Sequence, residues 1–353
     1  MPDIQMNSLQ RVLTTLGHRE PDRVPFFLLL SLHGAKELGL SIQDYFSRAE
    51  HVAEGQIRLR QKYRHDCLYS FFYAAVEIEA WGAEVIYREN GPPNSGDPFI
   101  NSAKDIDRMQ PPPVKTTPCL QKVLNATRML KERVGDEAPI IGVVMSPFSI
   151  PVMQMGFEAY INLIYEEPER FQKLMAVNEA FCGEWANAQL EAGATAICYF
   201  DPISSPTIIP KSLFLKTGYH IATSTLARIQ GPVATHMASG RCLPIVDDIA
   251  RTGAAVIGVS ALENIKDIKT ACAGKITVLG NLNGIEMARW DNGQAITAVK
   301  NAIAQAGPGG GFILSDNHGE IPWQVPDEVL TAISETVHTH GQYPIRGIEA
   351  CDG

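Results

Sequence analysis

Asp201, His236, Asn281 and His318 each stand at the polar end of a short apolar run. The runs are Ala196-Ile-Cys-Tyr-Phe-Asp201, Pro232-Val-Ala-Thr-His236, Ile276-Thr-Val-Leu-Gly-Asn281 and Gly311-Phe-Ile-Leu-Ser-Asp-Asn-His318. An imidazole serves as acid, base, metal ligand or hydrogen-bond donor. Carboxylates and amides add acceptors and donors to such a set. Short apolar runs of this kind read as strands buried on both faces, as in a parallel sheet. With helical segments between them they make successive βα units. The C-terminal strand ends of such folds share one face, where chemistry is built. Four residues far apart in sequence are therefore expected to meet in one pocket.

The densest local signal is Ser315-Asp-Asn-His-Gly-Glu320. A turn explains Asp316, Asn317 and Gly319, but not His318 and Glu320 with them. His236 sits in Thr235-His-Met-Ala-Ser-Gly240, directly after a strand. Asp201 either faces the pocket or caps the turn that follows it. Glu77 and Glu79 flank Ile78; a strand would put both carboxylates on one side, and a helix would splay them. Asn281 and Asn283 either bind a ligand amide or form a turn. No Gly-x-Ser-x-Gly elbow, H-E-x-x-H or Walker loop is present, so nucleophilic hydrolysis and phosphoryl transfer have no positive support.

The elements that must position these groups follow a regular rhythm. A helix is expected over 7–17, capped by Asn7 or Ser8, then a strand over Val24 to Leu30 and helical spacing over 42–64. Strand candidates follow at 67–73 and 83–87, and the Pro- and Asn-rich stretch 90–118 reads as a covering excursion. Helix 119–134 leads to strand 140–145 and helix 156–192. Strands are then expected at 196–201, 232–237, 255–260, 276–281 and 311–316. Helices at 210–228, 243–252, 264–273, 293–306 and 326–340 alternate with them. About eight strands separated by helices suggest a (β/α)8 TIM barrel spanning 1–340 as a single domain, with a tail at 341–353. A doubly wound sheet is disfavoured, because no G-x-G-x-x-G follows an early strand.

The bulk composition bounds the rest. The chain has 353 residues, 45% of them hydrophobic, and a net charge of −9 without a long basic run. That argues against nucleic acid as a partner. The seven cysteines are scattered and include no C-x-x-C pair, which fits a reducing compartment rather than a disulfide framework. The opening residues lack signal-peptide features and no apolar stretch is long enough to span a membrane, so a cytoplasmic location is expected.

Several segments in order resemble the uroporphyrinogen decarboxylase superfamily, in particular its methylcobamide-dependent methyltransferase branch. Arg11-Val-Leu-Thr-Thr-Leu-Gly-His-Arg-Glu-Pro-Asp-Arg-Val-Pro25 is similar to the branch's opening helix and turn. Val76-Glu-Ile-Glu-Ala-Trp-Gly-Ala-Glu-Val85 is similar to its V-x-x-E-A-x-G-A segment. Glu191-Ala-Gly-Ala with Phe200-Asp-Pro-Ile-Ser-Ser205, then Gly280-Asn281 and Ser315 to Pro326, match later motifs. The resemblance implies a barrel with a deep pocket at the C-terminal strand ends.

Two departures bear on activity. The decarboxylases carry an arginine-rich loop after the first strand and an aspartate at the second. Here the first region reads Phe26-Phe-Leu-Leu-Leu-Ser-Leu-His33 and the second aligns with Tyr73. A polyanionic substrate without its cationic clamp is hard to hold. The thiol-methylating members bind zinc through H-x-C and a distant cysteine, where this chain has His236-Met237-Ala238 and His318. Losing two sulfur ligands removes most of that site. No catalytic zinc is therefore expected, although a His/His/carboxylate set including Glu320 is an alternative.

The resemblance then implies methyl transfer between a corrinoid (methylcobamide) protein and tetrahydrofolate as the small-molecule acceptor. Asp201, His236 and His318 would be catalytic. Glu77, Asn281, Asp316, Asn317 and Glu320 would bind substrate. A zinc-dependent methylcobamide:thiol methyltransferase and a non-catalytic corrinoid- or tetrapyrrole-binding barrel are the alternatives.

Overall fold

Alternation of short β-branched runs with amphipathic helices produces a parallel sheet wrapped by helices. The computed structural model describes residues 5–345. Its strands are β1 (Leu68–Tyr69), β2 (Val85–Arg88), β3 (Gly91–Ser95), β4 (Ile140–Met145) and β5 (Ala196–Phe200). They continue with β6 (Val233–His236), β7 (Val256–Gly258), β8 (Thr277–Leu282) and β9 (Phe312–Asp316). Seven form one curled parallel sheet in the order β1-β4-β5-β6-β7-β8-β9, and β2 pairs with β3 as a separate antiparallel hairpin.

Side chains alternate between two cores, as strand geometry requires. Phe27, Leu29, Tyr69, Val143, Cys198, Leu279 and Ile313 fill the inside of the curl. The helix Ser8–Leu16 adds Val12 and Leu16 to that interior from the N-terminal end, so the sheet encloses a packed core and not a pore. Outward residues such as Ile197, Tyr199, Val233, Val278 and Phe312 pack in a much larger core shared with the helices. The interior is thereby closed to ligands, and in such folds catalytic chemistry is built at the C-terminal strand ends.

The expected strand at Val24 to Leu30 does not form as regular structure. Pro25 to Phe27 nevertheless bonds to both edges of the sheet. Leu314 N–H donates to the Pro25 carbonyl (2.9 Å), Phe27 N–H to the Leu314 carbonyl (2.8 Å), and Asp66 N–H to the Phe26 carbonyl (2.9 Å). An irregular segment therefore stands where a regular (β/α)8 barrel has its eighth strand. Proline at position 25 has no N–H to give to a ladder, which accounts for part of the irregularity.

Other expectations change in detail. Residues 42–64 break at Arg48, which is extended, into the helices Ile42–Ser47 and Ala49–Tyr63. The helix expected over 156–192 restarts at Pro168, because the residue before a proline is pushed out of helical geometry. The 210–228 stretch likewise divides, at Thr217, into Lys211–Lys216 and Gly218–Leu226. The 67–73 strand shrinks to Leu68–Tyr69, and 83–87 becomes part of the hairpin rather than of the main sheet. The 90–118 excursion contains β3 and a short 3-10 helix, Ala103–Arg108. At the other end, Gln342 bridges to Arg23 and the Tyr343 hydroxyl donates to the Gly307 carbonyl (2.7 Å). The remainder of the expected tail, 346–353, lies outside the described residues.

One buried carboxylate ties the irregular segment in place. Asp66, fully buried, pairs with Arg11 (2.7 Å) and Arg23 (2.6 Å), and accepts from Ser8 Oγ (2.8 Å) and the Phe26 N–H (3.0 Å). Burial opposes its charge, but Arg23 and Arg11 outweigh that and hold its carboxyl below the usual range. Asp66→Ala would leave two nearly buried guanidinium groups without their shared partner. A loss of about 3–5 kcal/mol in stability is expected, measured by urea unfolding at pH 7. A loss below 1 kcal/mol would show that the brace is incidental.

Candidate active site

The site begins with His236, the last residue of β6. Its register partners are Phe200 on β5 and Gly258 on β7. The imidazole stacks on the Phe200 ring at 4.9 Å, and a side chain at Gly258 would collide with it. A glycine there is what leaves room for the ring. His236 Nδ1 accepts from the Ala238 N–H (3.0 Å), and Nε2 has no partner among the described residues. Burial, helped by nearby His318, lowers its pKa to about 3. At neutral pH the ring is therefore uncharged and carries its proton on Nε2. His236 is a fixed, unsatisfied hydrogen-bond donor.

The segment after β9 folds over this ring. Asp316 Oδ2 accepts from the N–H groups of His318 (2.7 Å) and Gly319 (2.8 Å), an Asx-type turn that bends the chain back. His318 Nδ1 then meets Ser239 Oγ at 2.5 Å, and the Tyr69 hydroxyl donates to the Gly319 carbonyl (2.9 Å). Gly319 lies so close to the Phe200 ring, at φ +85°, that no side chain would fit. Ile321 N–H donates to the Leu29 carbonyl (3.0 Å), and Glu320 bonds to Ser31 Oγ. The loop thus spans the mouth from β9 towards β5 and β6.

Two carboxylates in this loop are perturbed. Burial raises the Asp316 carboxyl above its ordinary value, and Asp316 Oδ1 is buried without a partner. Burial, with a further contribution from Asp316, pushes Glu320 up to about 7. His318 is within electrostatic reach of both His236 and Asp316. The structure therefore brings together His236, His318, Asp316 and Glu320, with Asn317 behind them accepting from the Gly284 N–H (3.0 Å).

Asp201 and Glu77 stand apart from this group. Asp201 Oδ1 accepts from Ser146 Oγ (2.6 Å) and Ser149 Oγ (2.7 Å), fixing the β4 and β5 ends to one another. It makes no side-chain cap to the following 3-10 turn. Burial raises its pKa. Glu77 lies on the five-residue helix Val76–Ala80, so the strand alternation considered for Glu77 and Glu79 does not occur. Its Oε1 accepts from the Met145 N–H (2.9 Å), while Oε2 and the indole N–H of buried Trp185 both lack a hydrogen-bond partner. Burial pushes Glu77 up to about 8. The Asn281 amide donates to the Ser260 (3.0 Å) and Glu263 (3.2 Å) carbonyls and holds the β7 loop.

The loops around the mouth are bonded to their neighbours. Ser205 Oγ donates to the Arg241 carbonyl, Ser260 Oγ to the Ser239 carbonyl, and the Cys242 and Leu243 N–H groups to Glu263. This belt presents Ile208, Leu243, Leu262 and Ile285, one exposed aliphatic from each of the loops after β5, β6, β7 and β8. Sequence reasoning missed Phe200, Ser239, Tyr69 and Ser31. Ser239, three residues after His236, was the one with a local signal.

A model of the family described as Uroporphyrinogen decarboxylase (URO-D) matches residues 7–340. The chain belongs to the uroporphyrinogen decarboxylase family. Proteins named uroporphyrinogen decarboxylase are distant relatives. The one from Chromohalobacter salexigens is 23% identical, aligned over 93% of this chain and 96% of its own length. That from Magnetococcus marinus is 24% identical over 92% and 95%. Among solved structures, a methyltransferase from Methanosarcina mazei superposes with a TM-score of 0.81 at 18% identity, covering 95% of this chain and 99% of that one. A B12-independent methionine synthase from Shewanella gives a TM-score of 0.51 at 11% identity, over 80% of this chain and 86% of its own.

Residues 26–33 carry no arginine or lysine, and Tyr73, at the second expected position, donates its hydroxyl to Glu79 (2.6 Å). Among the described residues no group of three or more His, Cys, Asp or Glu side chains is disposed to hold a metal ion. No helix among them is long and apolar enough to cross a membrane.

The Glu77 environment yields a stability test. A carboxyl raised to about 8 in the folded state keeps its proton where the unfolded chain has lost it. Stability should then fall as pH rises from the ordinary carboxyl range through 8. Glu77→Gln keeps an acceptor for Met145 but cannot ionise. It is expected to be more stable than the parent by about 1–3 kcal/mol at pH 8.5 and nearly equal at pH 5. Equal unfolding midpoints at both pH values would refute the assignment.

Proposed function

We propose that this member of the uroporphyrinogen decarboxylase family transfers a methyl group between a corrinoid protein and tetrahydrofolate. The reading rests on one observation above others: a proton-fixed, neutral His236 donor and an unpartnered Asp316 acceptor share the mouth of the sheet. A pterin presents amide and guanidine-like groups, donors and acceptors side by side, and such a pair complements it. Buried unpartnered groups cost free energy unless a ligand satisfies them, so they favour a polar ligand over an apolar one. The absence of cationic side chains from residues 26–33 speaks against a substrate carrying several carboxylates.

Bound methylcobamide would supply an activated methyl group to an amine already neutral near pH 7. The chain's own tasks are orientation, exclusion of water and handling of one proton. His236 orients, since its Nδ1 is occupied and its Nε2 already protonated; it is not a general base. Glu320, with a pKa near 7, is suited to hold the proton an amine nitrogen gives up on methylation. Asn281 and Asn317 act through the loops they hold. Asp201 and Glu77 set the β4 and β5 ends.

The exposed aliphatic arc of Ile208, Leu243, Leu262 and Ile285 supports a macromolecular partner at the mouth, since side chains of this kind are most useful when a surface covers them. Purified protein mixed with methylated corrinoid protein and tetrahydrofolate should form methyltetrahydrofolate and leave uroporphyrinogen unchanged. His236→Ala should lower kcat/KM by about 10²-fold or more. Leu262→Asp with Ile285→Asp should raise KM for the corrinoid protein and spare kcat. Decarboxylation of uroporphyrinogen without methyl transfer would overturn the reading.

A further inference from the structure

At the opposite, N-terminal end of the sheet lies a cleft of about 1240 Å³, lined among others by Arg60, Arg64, His65, His338 and Tyr343. Its walls come from the segments before β1 and β4 and from the stretch His338 to Tyr343, and belong to no part of the mouth described above. Three of its lining groups carry a nitrogen that is buried and without a hydrogen-bond partner: Arg60 Nε, His65 Nε2 and His338 Nε2. Orphaned polar atoms are few in native proteins, and each one calls for a partner. Three on one cleft point to a ligand.

Their chemistry defines that ligand. His65 is 1% exposed, and its Nδ1 lies 3.7 Å from the Cys67 sulfur. With Nδ1 turned to the sulfur, the buried Nε2 of this neutral ring is left to a ligand. Arg60 is a donor. Its only ion pair among the described residues is a loose one, 4.0 Å to a Glu137 side chain that is largely exposed. Arg64 has no ion pair among the described residues, and its side chain adds a free cation. The acidic side chains of the cleft are otherwise engaged: Asp22 holds Arg11, and Glu20 accepts from the Gly309 N–H. His338 Nε2 is a further buried imidazole nitrogen on the same cleft, in a ring whose pKa burial lowers to about 4. Cations with two neutral imidazole nitrogens beside them, each able to donate or accept, suit an oxyanion that also carries a hydroxyl.

We infer that this cleft is a second binding site, for a small organic oxyanion bearing a hydroxyl: a phosphate monoester or a hydroxycarboxylate. Arg60 and Arg64 pair with the anionic oxygens, His65 Nε2–H donates to one of them, and His338 accepts from the hydroxyl. Glycerol 3-phosphate and citrate are the two probes, titrated calorimetrically into the full chain at constant ionic strength with chloride as the control. Saturable binding of either supports the site, and the preferred probe tells phosphate from carboxylate. The His65 Nε2–H proton resonance of the unmodified protein should move downfield along the same isotherm. Arg60→Gln with Arg64→Gln, both on accessible side chains, should weaken binding at least tenfold at an unchanged melting temperature. No heat beyond the chloride control, or a His65 resonance that stays in place, overturns the inference. So does a double variant that binds as tightly as the parent.

Discussion

The curl of this sheet depends on one carboxylate. Asp66 precedes β1, yet its two oxygens hold Arg11 from the first helix, Arg23 from the turn after it, and the backbone of Phe26. Its own N–H closes the contact to Phe26 from the other side. The segment from Pro25 to Phe27 makes few ladder bonds of its own, so a charged anchor substitutes for regular strand pairing. Desolvating one carboxylate and two guanidiniums is costly, and only excellent geometry offsets it. Every oxygen of Asp66 is used at least twice, which is how the pairing becomes worthwhile. Once that seam is closed, β9 lies beside the start of the chain, and the loop after β9 is placed to cross the mouth.

Burial then decides the electrostatics of the mouth. A histidine placed after a strand is often read as an acid or base, but His236 is stacked on Phe200 and sealed by Gly258. Desolvation removes its charge, and the Ala238 N–H fixes its tautomer. The same desolvation acts in the opposite sense on carboxyls, bringing Glu320 to the neutral range. One low-dielectric environment therefore sets two states, a neutral imidazole and a carboxyl that titrates near neutrality, which the proposed function would use for orientation and proton exchange.

Much of this was legible in the sequence wherever periodicity carries the information. The five strands from residue 196 onward fall within a residue or two of their apolar runs, and Asn7 caps the first helix with a full capping box. The early part was less legible, because β1 is two residues long and its partner segment is not a regular strand. Local pattern cannot show a seam closed by a charge 40 residues away. The site was half legible for a related reason. His236, His318, Asp316 and Glu320 do meet, since strand ends share a face. Asp201 satisfies the same pattern, but its side chain turns sideways to Ser146 and Ser149 after β4, and Glu77 lies on a short helix beside Met145 and Trp185. Which way a side chain leaves the last residue of a strand is settled by the loop that follows, not by the strand.

The belt of bonds between loops joins these two levels. Four neighbouring loops after β5 to β8 are tied through the side chains of Ser205, Ser260, Glu263 and Asn281, each bonding backbone groups of another loop or of its own. Such bonds satisfy loop carbonyls that would otherwise need water. They also remove freedom that a ligand would have to freeze on binding, so less of the interaction energy is lost to ordering. A rigid rim around a neutral donor and a titratable carboxyl is suited to holding two reactants in line. It is poorly suited to enclosing a flexible polyanion, which needs cations that adjust to it. The fold is that of the uroporphyrinogen decarboxylase family; under the proposed function, a rigid rim would serve transfer between two bound partners.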